Sequence, residues 1–327
     1  MQQVLANLFQ SYSFPEEHAQ LLAKIHTEST LDGVNSHGIN RVPKFLKYVS
    51  QGLVKIDSAA EKVAEMGSME RWDGNLASGI LNATQCTDRA IALAKEHGMG
   101  LVALRNTNHW MRGGTYGWQA AENGCIAIMF TNTMPNMPAW GGRDNRIGNN
   151  PLVMAIPRKK GAIVLDMALS QFSFGKMESH QLKNERLPFH GGWDQENNLS
   201  KDPGRIRKSG RALPVGYWKG SALSMVLDML ATVLSAGNST YKIGLQSNES
   251  ALSQVFLCID PVLYEDGNLQ ERLLEDIIAY THEVEPMNEG DRTFYPGERT
   301  LITRRKNLKE GIPVNIEIWE QVLALIP

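Results

Sequence analysis

The sequence predicts an α+β fold in which a helical N-terminal region packs with a large mixed sheet. Three observations carry this prediction. Helical spacing dominates the chain before Gly52, a strand, helix, strand succession runs from Leu101 to Thr131, and the apolar runs Leu152 to Ile156 and Ala162 to Met167 flank a basic turn. The division that follows is a helical region over 1–70, packed with the tail 300–327, and a mixed-sheet domain over 71–299.

The elements follow in order. Pro15 with Glu16 and Glu17 opens a helix that carries Leu21, Leu22 and Ile25 and reaches Ser29. A second helix holds Phe45, Leu46 and Val49 and stops near Gly52. Thr84 to His97 is a helix with Ala90, Ile91 and Ala94 inward and Gly98 as its stop. Leu101 to Leu104 reads as a buried strand, Tyr116 to Asn123 as a short helix ended by Gly124, and Cys125 to Thr131 as the next strand. Arg158, Lys159, Lys160 and Gly161 turn a hairpin between the two apolar runs. His190 to Pro214, rich in Gly, Asn, Asp and Lys, reads as a long surface excursion. The strongest helical pattern is Lys219 to Ala236, where Leu223, Val226, Leu227 and Leu230 form an apolar stripe expected to face inward. Strand Val255 to Ile259, helix Leu269 to Tyr280 and a helical tail from Ile316 complete the chain.

Composition excludes several function classes. Lys and Arg total 33 against 35 Asp and Glu, so the net charge of -2 disfavours a nucleic-acid binder that works by neutralising phosphates. Apolar runs are too short for a bilayer span, and no basic segment leads into a long apolar stretch, so a soluble, cytoplasmic protein without membrane contact is expected. Cys86, Cys125 and Cys258 are odd in number and lack C-x-x-C spacing, which suits buried thiols in a reducing compartment. His18, His26, His97, His180 and His282 lack metal-ligand spacing, so no metal is expected.

No G-x-G-x-x-G, P-loop, G-x-S-x-G or H-E-x-x-H motif is present. Gly98-Met99-Gly100 closes a helix and precedes a strand, the reverse of the dinucleotide order. The most informative segment is Asn35-Ser36-His37-Gly38-Ile39-Asn40-Arg41. An imidazole four residues before a guanidinium could meet a 2-oxo acid, with the planar fork on the carboxylate and the near-neutral donor at the carbonyl oxygen. Equally, His37 could cap the helix and Arg41 be a solvated charge, and Pro43 favours a loop entering that helix.

A second cluster, Asn106 to Gly114, follows the strand ending at Leu104, where open sheets place ligands; its paired glycines permit close backbone approach and free N–H groups attract anions. A tight turn with Trp110 plugging the core satisfies the same residues. Asp166 ends a strand, where an acid can accept from a ribose diol and would repel the 2′-phosphate of NADPH, or simply form a turn. Trp218 and Lys219 open the strongest helix and could hold adenine or phosphate, or be exposed. The run Arg304-Arg305-Lys306 reads as a solvated helix face.

SHGINR, RNTNHWMRGGTYGWQAAE, RIGNNPLVMAIP with VLDMALSQFSFGKM, and GYWKGSALSMVLDML together resemble the malate/L-lactate dehydrogenase family without a Rossmann fold, over nearly the whole chain. The resemblance implies a cytoplasmic homodimer that uses NADH, in preference to NADPH, to reduce a small 2-oxo sugar acid, the mixed-sheet domain being the NAD-binding and catalytic one. It makes His37 the proton donor and Arg41 the carboxylate partner, with Ser36 and His109 lining the substrate pocket. It also assigns cofactor contact to Ala162, Ile163, Val164, Leu165, Asp166, Met167 and Ala168, to Trp218 and Lys219, and to Gly297, Glu298 and Arg299. Relatives acting on malate, lactate, sulfolactate or ureidoglycolate leave the substrate open. A lyase or isomerase using His37 and His109 without redox chemistry, and a silent sugar-acid binder, are the readings from other classes.

Overall fold

The computed structural model describes residues 1–261 and 267–326. The chain opens with helices α1 (Gln2–Ser11) and α2 (Glu16–Leu31), two 3₁₀ turns (Asn35–His37 and Ile39–Arg41), and α3 (Val42–Ser50). Leu5, Leu8 and Phe9 of α1, Leu22 of α2 and Phe45 and Leu46 of α3 bury against one another, and Val322 joins this core from near the chain's end. The expected helix starting at Pro15 is α2, with Pro15 as its N-cap.

Strands β1 (Glu61–Met66) and β2 (Met69–Asp73), helix α4 (Gly79–His97) and strand β3 (Met99–Thr107) follow. Helix α4 is the crossover that lets β2 and β3 pair in parallel; the other pairings in the main sheet are antiparallel. Next come α5 (Gly114–Glu122), β4 (Ile126–Thr131), the short β5 (Met137–Pro138) and β6 (Asn145–Ile147), then β7 (Leu152–Ile156) and β8 (Ile163–Met167). After α6 (Phe174–Leu182) come β9 (Gly192–Trp193), β10 (Leu199–Ser200), α7 (Pro203–Ser209) and β11 (Arg211–Ala212). The stretch read as a bare surface excursion therefore folds a three-stranded sheet of its own, in the order β10-β9-β11. Its Ile206 and Ala212 are buried, and these two apolar residues were outweighed by the polar composition around them.

The chain ends with α8 (Trp218–Ser235), α9 (Thr240–Gly244), β12 (Leu252–Ile259), α10 (Gly267–His282), α11 (Glu298–Glu310) and α12 (Ile316–Leu323). The seven-stranded sheet has the order β1-β2-β3-β12-β4-β7-β8, which puts the late strand β12 at its centre and β8 at an edge. Helices α4 and α5 cover one face through Ala90, Ile91, Tyr116 and Ala120, packed on Val102, Val153 and Phe256. On the other face α8 lays Leu227 and Ala231 against Ala103, Phe130 and Val255.

Helix α8 corrects one expectation. Its buried residues are Gly220, Ser221, Ser224, Leu227, Ala231 and Ser235, mostly small, while Leu223, Val226 and Leu230 of the expected inward stripe are exposed, together with Met225, Met229 and Val233. The small side brings the helix close to the sheet, where Ser224 Oγ donates to Gly148 O at 2.6 Å. Asn150 Nδ2 in turn donates to Ser224 O at 2.8 Å. The run at Arg304 corrects another: Arg304 is not a solvated charge but binds the fully buried carboxylate of Asp32, with Nε–Oδ1 at 2.6 Å.

Candidate active site

Residues 35 to 41 are held close against α2. Gly38 lies so close to α2 that a Cβ there would overlap Thr30 Oγ1 and stand 2.8 Å from the Thr30 backbone nitrogen. Thr30 Oγ1 donates to His26 O at 2.7 Å and accepts from Ile39 N at 2.9 Å. The buried His26 ring donates through Nδ1 to Gly38 O at 3.0 Å, and its pKa is lowered to about 4, chiefly by burial and against the effect of that bond. These contacts fix two successive 3₁₀ turns and aim both His37 and Arg41 into one cavity of about 750 Å³. The helix that follows has no side-chain cap bond, and Arg41 lines the cavity.

The opposite wall comes from the sheet. Asn108 Nδ2 donates to the carbonyls of Leu53, Leu76 and Ala77, holding the loop after β3. His109 Nδ1 accepts from Met111 N at 2.9 Å, and its ring stacks on that of His37 with centroids 5.8 Å apart. Trp110 is buried and Tyr116 Oη donates to its carbonyl at 2.7 Å, so the loop is both core plug and cavity wall. At the start of α5, Gly114 N donates to Asp166 Oδ2 at 2.8 Å, and a Cβ on Gly114 would sit 2.8 Å from that oxygen. The glycine is what lets the carboxylate reach the helix N-terminus. Asp166 is reached from the cavity, but the protein around it removes most of the surrounding water and raises its pKa; Arg112 and the Gly114 N–H act in the opposite direction.

Behind this wall Arg112, itself lining the cavity, pairs with buried Asp32, whose carboxylate also holds Arg304. One acid between two guanidiniums leaves positive charge beneath the cavity floor. It bears on His37, whose pKa is lowered to about 4 by burial first, then by Arg41 and Arg112. His109 is likewise held well below the ordinary imidazole value, by burial and then Arg41. Ser36 Oγ lies 3.0 Å from His37 Nδ1, which leaves Nε2 for a ligand.

The structure thus brings Ser36, His37, Arg41, His109, Asp166 and Ala168 to one cavity. Ala162, Ile163, Val164, Leu165 and Met167 continue along the same strand, and Gly297 adjoins them through the bond from Val164 N to Pro296 O at 3.0 Å. Glu298 is turned toward His282 and Arg292. Arg299 stacks on Phe294, with its Cζ 4.4 Å from the ring centroid. Trp218 and Lys219 stand exposed at the start of α8 and do not line this cavity. Lys44, Asn136 and Glu249 line it without any motif to announce them, while Asn149 lies within the RIGNNPLVMAIP run. Asp32 has no sequence signal either; Arg112 lies within the glycine-rich cluster that drew attention to His109.

As strand β8 is an edge, the alternation that sends Val164 N–H outward also turns the backbone of Asp166 outward. An edge strand, a carboxylate with one oxygen left for a hydroxyl, and two imidazoles with a guanidinium on one cavity are groups that could hold a nicotinamide cofactor and a small acid. Among the described residues no group of three or more His, Cys, Asp or Glu could hold a metal, and no helix is long and apolar enough to cross a membrane. The three cysteines are free and buried.

Comparison with known proteins gives a concordant result. Residues 1–323 match the family described as malate/L-lactate dehydrogenase. The 2,3-diketo-L-gulonate reductase of Citrobacter koseri is 43% identical over 310 residues, covering 94% of this chain and 93% of that protein. Malate dehydrogenase from Pyrococcus horikoshii superposes with a TM-score of 0.90 at 26% identity, covering 99% of this chain and 92% of the other. Sulfolactate dehydrogenase from Methanocaldococcus jannaschii gives 0.87 at 26% identity, covering 99% and 94%.

Proposed function

Since the chain belongs to the malate/L-lactate dehydrogenase family and is an oxidoreductase acting on CH–OH groups, we propose that it reduces the C2 carbonyl of 2,3-diketo-L-gulonate with NADH, yielding 3-dehydro-L-gulonate. The observation that carries this reading is the meeting of His37, Arg41, His109 and Asp166 around one cavity beside the open edge of β8. A volume of about 750 Å³ has room for a nicotinamide ring and a six-carbon acid together.

Strand β8 with the flanking Ala162 and Ala168 would hold the cofactor, with Gly297, Glu298 and Arg299 at one end and Trp218 and Lys219 beyond the cavity. When bound, the reduced nicotinamide supplies hydride to the carbonyl carbon. Asp166, opening into the same cavity as His37, suits a ribose of the cofactor; the preference for NADH over NADPH then rests on the family resemblance rather than on that carboxylate.

Arg41 binds the substrate carboxylate through its planar fork. In the free protein His37 is neutral near pH 7, because burial and the charges of Arg41 and Arg112 oppose its protonation. A carboxylate seated on Arg41 offsets that repulsion, so His37 takes up a proton as the acid binds and then gives it, through Nε2, to the developing oxyanion. His109 lines the pocket as the second imidazole.

We place the enzyme in the cytoplasm as a homodimer. The exposed apolar residues of α8, among them Met225, Met229 and Val233, support self-association, as a contiguous patch of this kind is costly to leave in water. The function is tested by relative kcat/KM for a panel of 2-oxo and 2,3-dioxo acids with NADH and with NADPH. The diketo acid with NADH should rank first; malate, lactate or sulfolactate ranking above it would replace this substrate, and absence of any nicotinamide oxidation would end the redox reading.

A further inference from the structure

We propose that Asn136, with Lys44 and Glu249, forms a subsite that selects acids with a hydroxylated tail, a reading that rests on the sugar-acid function above. Asn136 is fixed at the entry to β5 by its backbone, whose N–H donates to Ile147 O at 3.0 Å. Its side-chain Nδ2 donates to Asn149 Oδ1 at 2.8 Å. Thr133 Oγ1 lies 3.2 Å from that same Asn149 oxygen and equally close to Met134 O. What remains is Asn136 Oδ1, buried and without a hydrogen-bond partner, in the wall of the cavity that holds His37 and Arg41. A buried amide oxygen left this way favours a ligand that brings a donor.

Two charged groups face the same space from other elements. Lys44 lies one turn beyond Arg41 on α3 and carries a pKa lowered by burial and by Arg41. Glu249, from the loop before β12, keeps one carboxylate oxygen on Met134 N at 3.2 Å. An amide acceptor, a carboxylate and an ammonium are the complement of several vicinal hydroxyls, each of which both donates and accepts. A two- or three-carbon 2-oxo acid has no group to offer them. The tail of a six-carbon acid does.

The test compares the wild type with Asn136→Leu and Lys44→Met, after matching thermal unfolding. For the diketo acid kcat/KM should fall about 10-fold or more, while for pyruvate it stays within about twofold, since a site built to bond a hydroxyl discriminates against what lacks one. Equal losses on both substrates, or no loss on either, overturn the proposal. Calorimetric binding of L-gulonate and L-lactate supplies a readout independent of turnover: the wild type should bind gulonate at least about 10-fold more tightly, and Asn136→Leu should erase the difference. Equal binding by the wild type refutes the subsite even if the diketo acid is reduced. Preferential gulonate binding without reduction of the diketo acid refutes the proposed reaction and leaves the subsite standing.

Discussion

The two walls of the cavity are built by different means. On the helical side, His37 and Arg41 ride on 3₁₀ turns whose position depends on short polar bonds among His26, Thr30, Gly38 and Ile39. On the sheet side, His109 and Asp166 hang from strand ends whose place is set by the ladder and a large apolar core. The sheet side resists local change because many contacts share the load. On the helical side a few directional bonds position the groups that meet the substrate, so single substitutions there should reach the chemistry first.

The largest effect should come from the donor itself. His37→Ala is expected to lower kcat about 10²- to 10⁴-fold with folding intact, measured by steady-state NADH oxidation; near-normal turnover would remove His37 from the proton-transfer step. Asp32→Asn strikes the joint between the walls, because it leaves Arg112 buried without its counter-charge. A loss of about 3–5 kcal/mol in denaturant unfolding is expected. If the loss is negligible, the two walls are not joined through this carboxylate.

Acid should loosen the helical side through His26. The folded-state pKa of His26 lies below its unfolded value of about 6.5, so the unfolded chain binds the extra proton first and stability falls as pH drops from about 6.5 toward 4, by up to about 3 kcal/mol from this group. Stability of wild type and His26→Gln measured across that range tests it, a flatter profile for the variant being the expected result. In kinetics, the protonated form of His37 is the active one, so rates of reduction fall as pH rises. The descending limb of kcat should lie at higher pH than that of kcat/KM, which follows the free protein's value near 4. Coincident limbs would mean that the bound acid does not recharge the imidazole. The smallest effect is Arg41→Lys, which retains charge and loses the fork: KM for the acid should rise about 10-fold, with a neutral 2-oxo ester little affected.

Much of this was legible in the sequence, unevenly. Asn35 to Arg41 stood out because chemistry-bearing groups are packed among turn formers, and Asn106 to Gly114 because glycines follow a strand. Helix α1 lacks Pro or an acidic first turn, and all six residues of β1 are exposed, so neither gives a strong pattern. In α8 the periodicity located the helix but misassigned its faces, since an apolar stripe says what avoids water and not which surface covers it. Small residues let α8 lie close to the sheet and left the large ones outside. Arg304 looked like one more surface cation because its partner, Asp32, is remote in sequence. Lys44, Asn136 and Glu249 share a wall only after folding, and no spacing could relate them.

Val322 of α12 is fully buried among the residues of α1, α2 and α3. During synthesis these first helices emerge long before the segment that completes their packing. The wall bearing the imidazole and guanidinium therefore reaches its final form only once residues through Val322 have left the ribosome, and a nascent chain stalled before this segment should remain without catalytic competence.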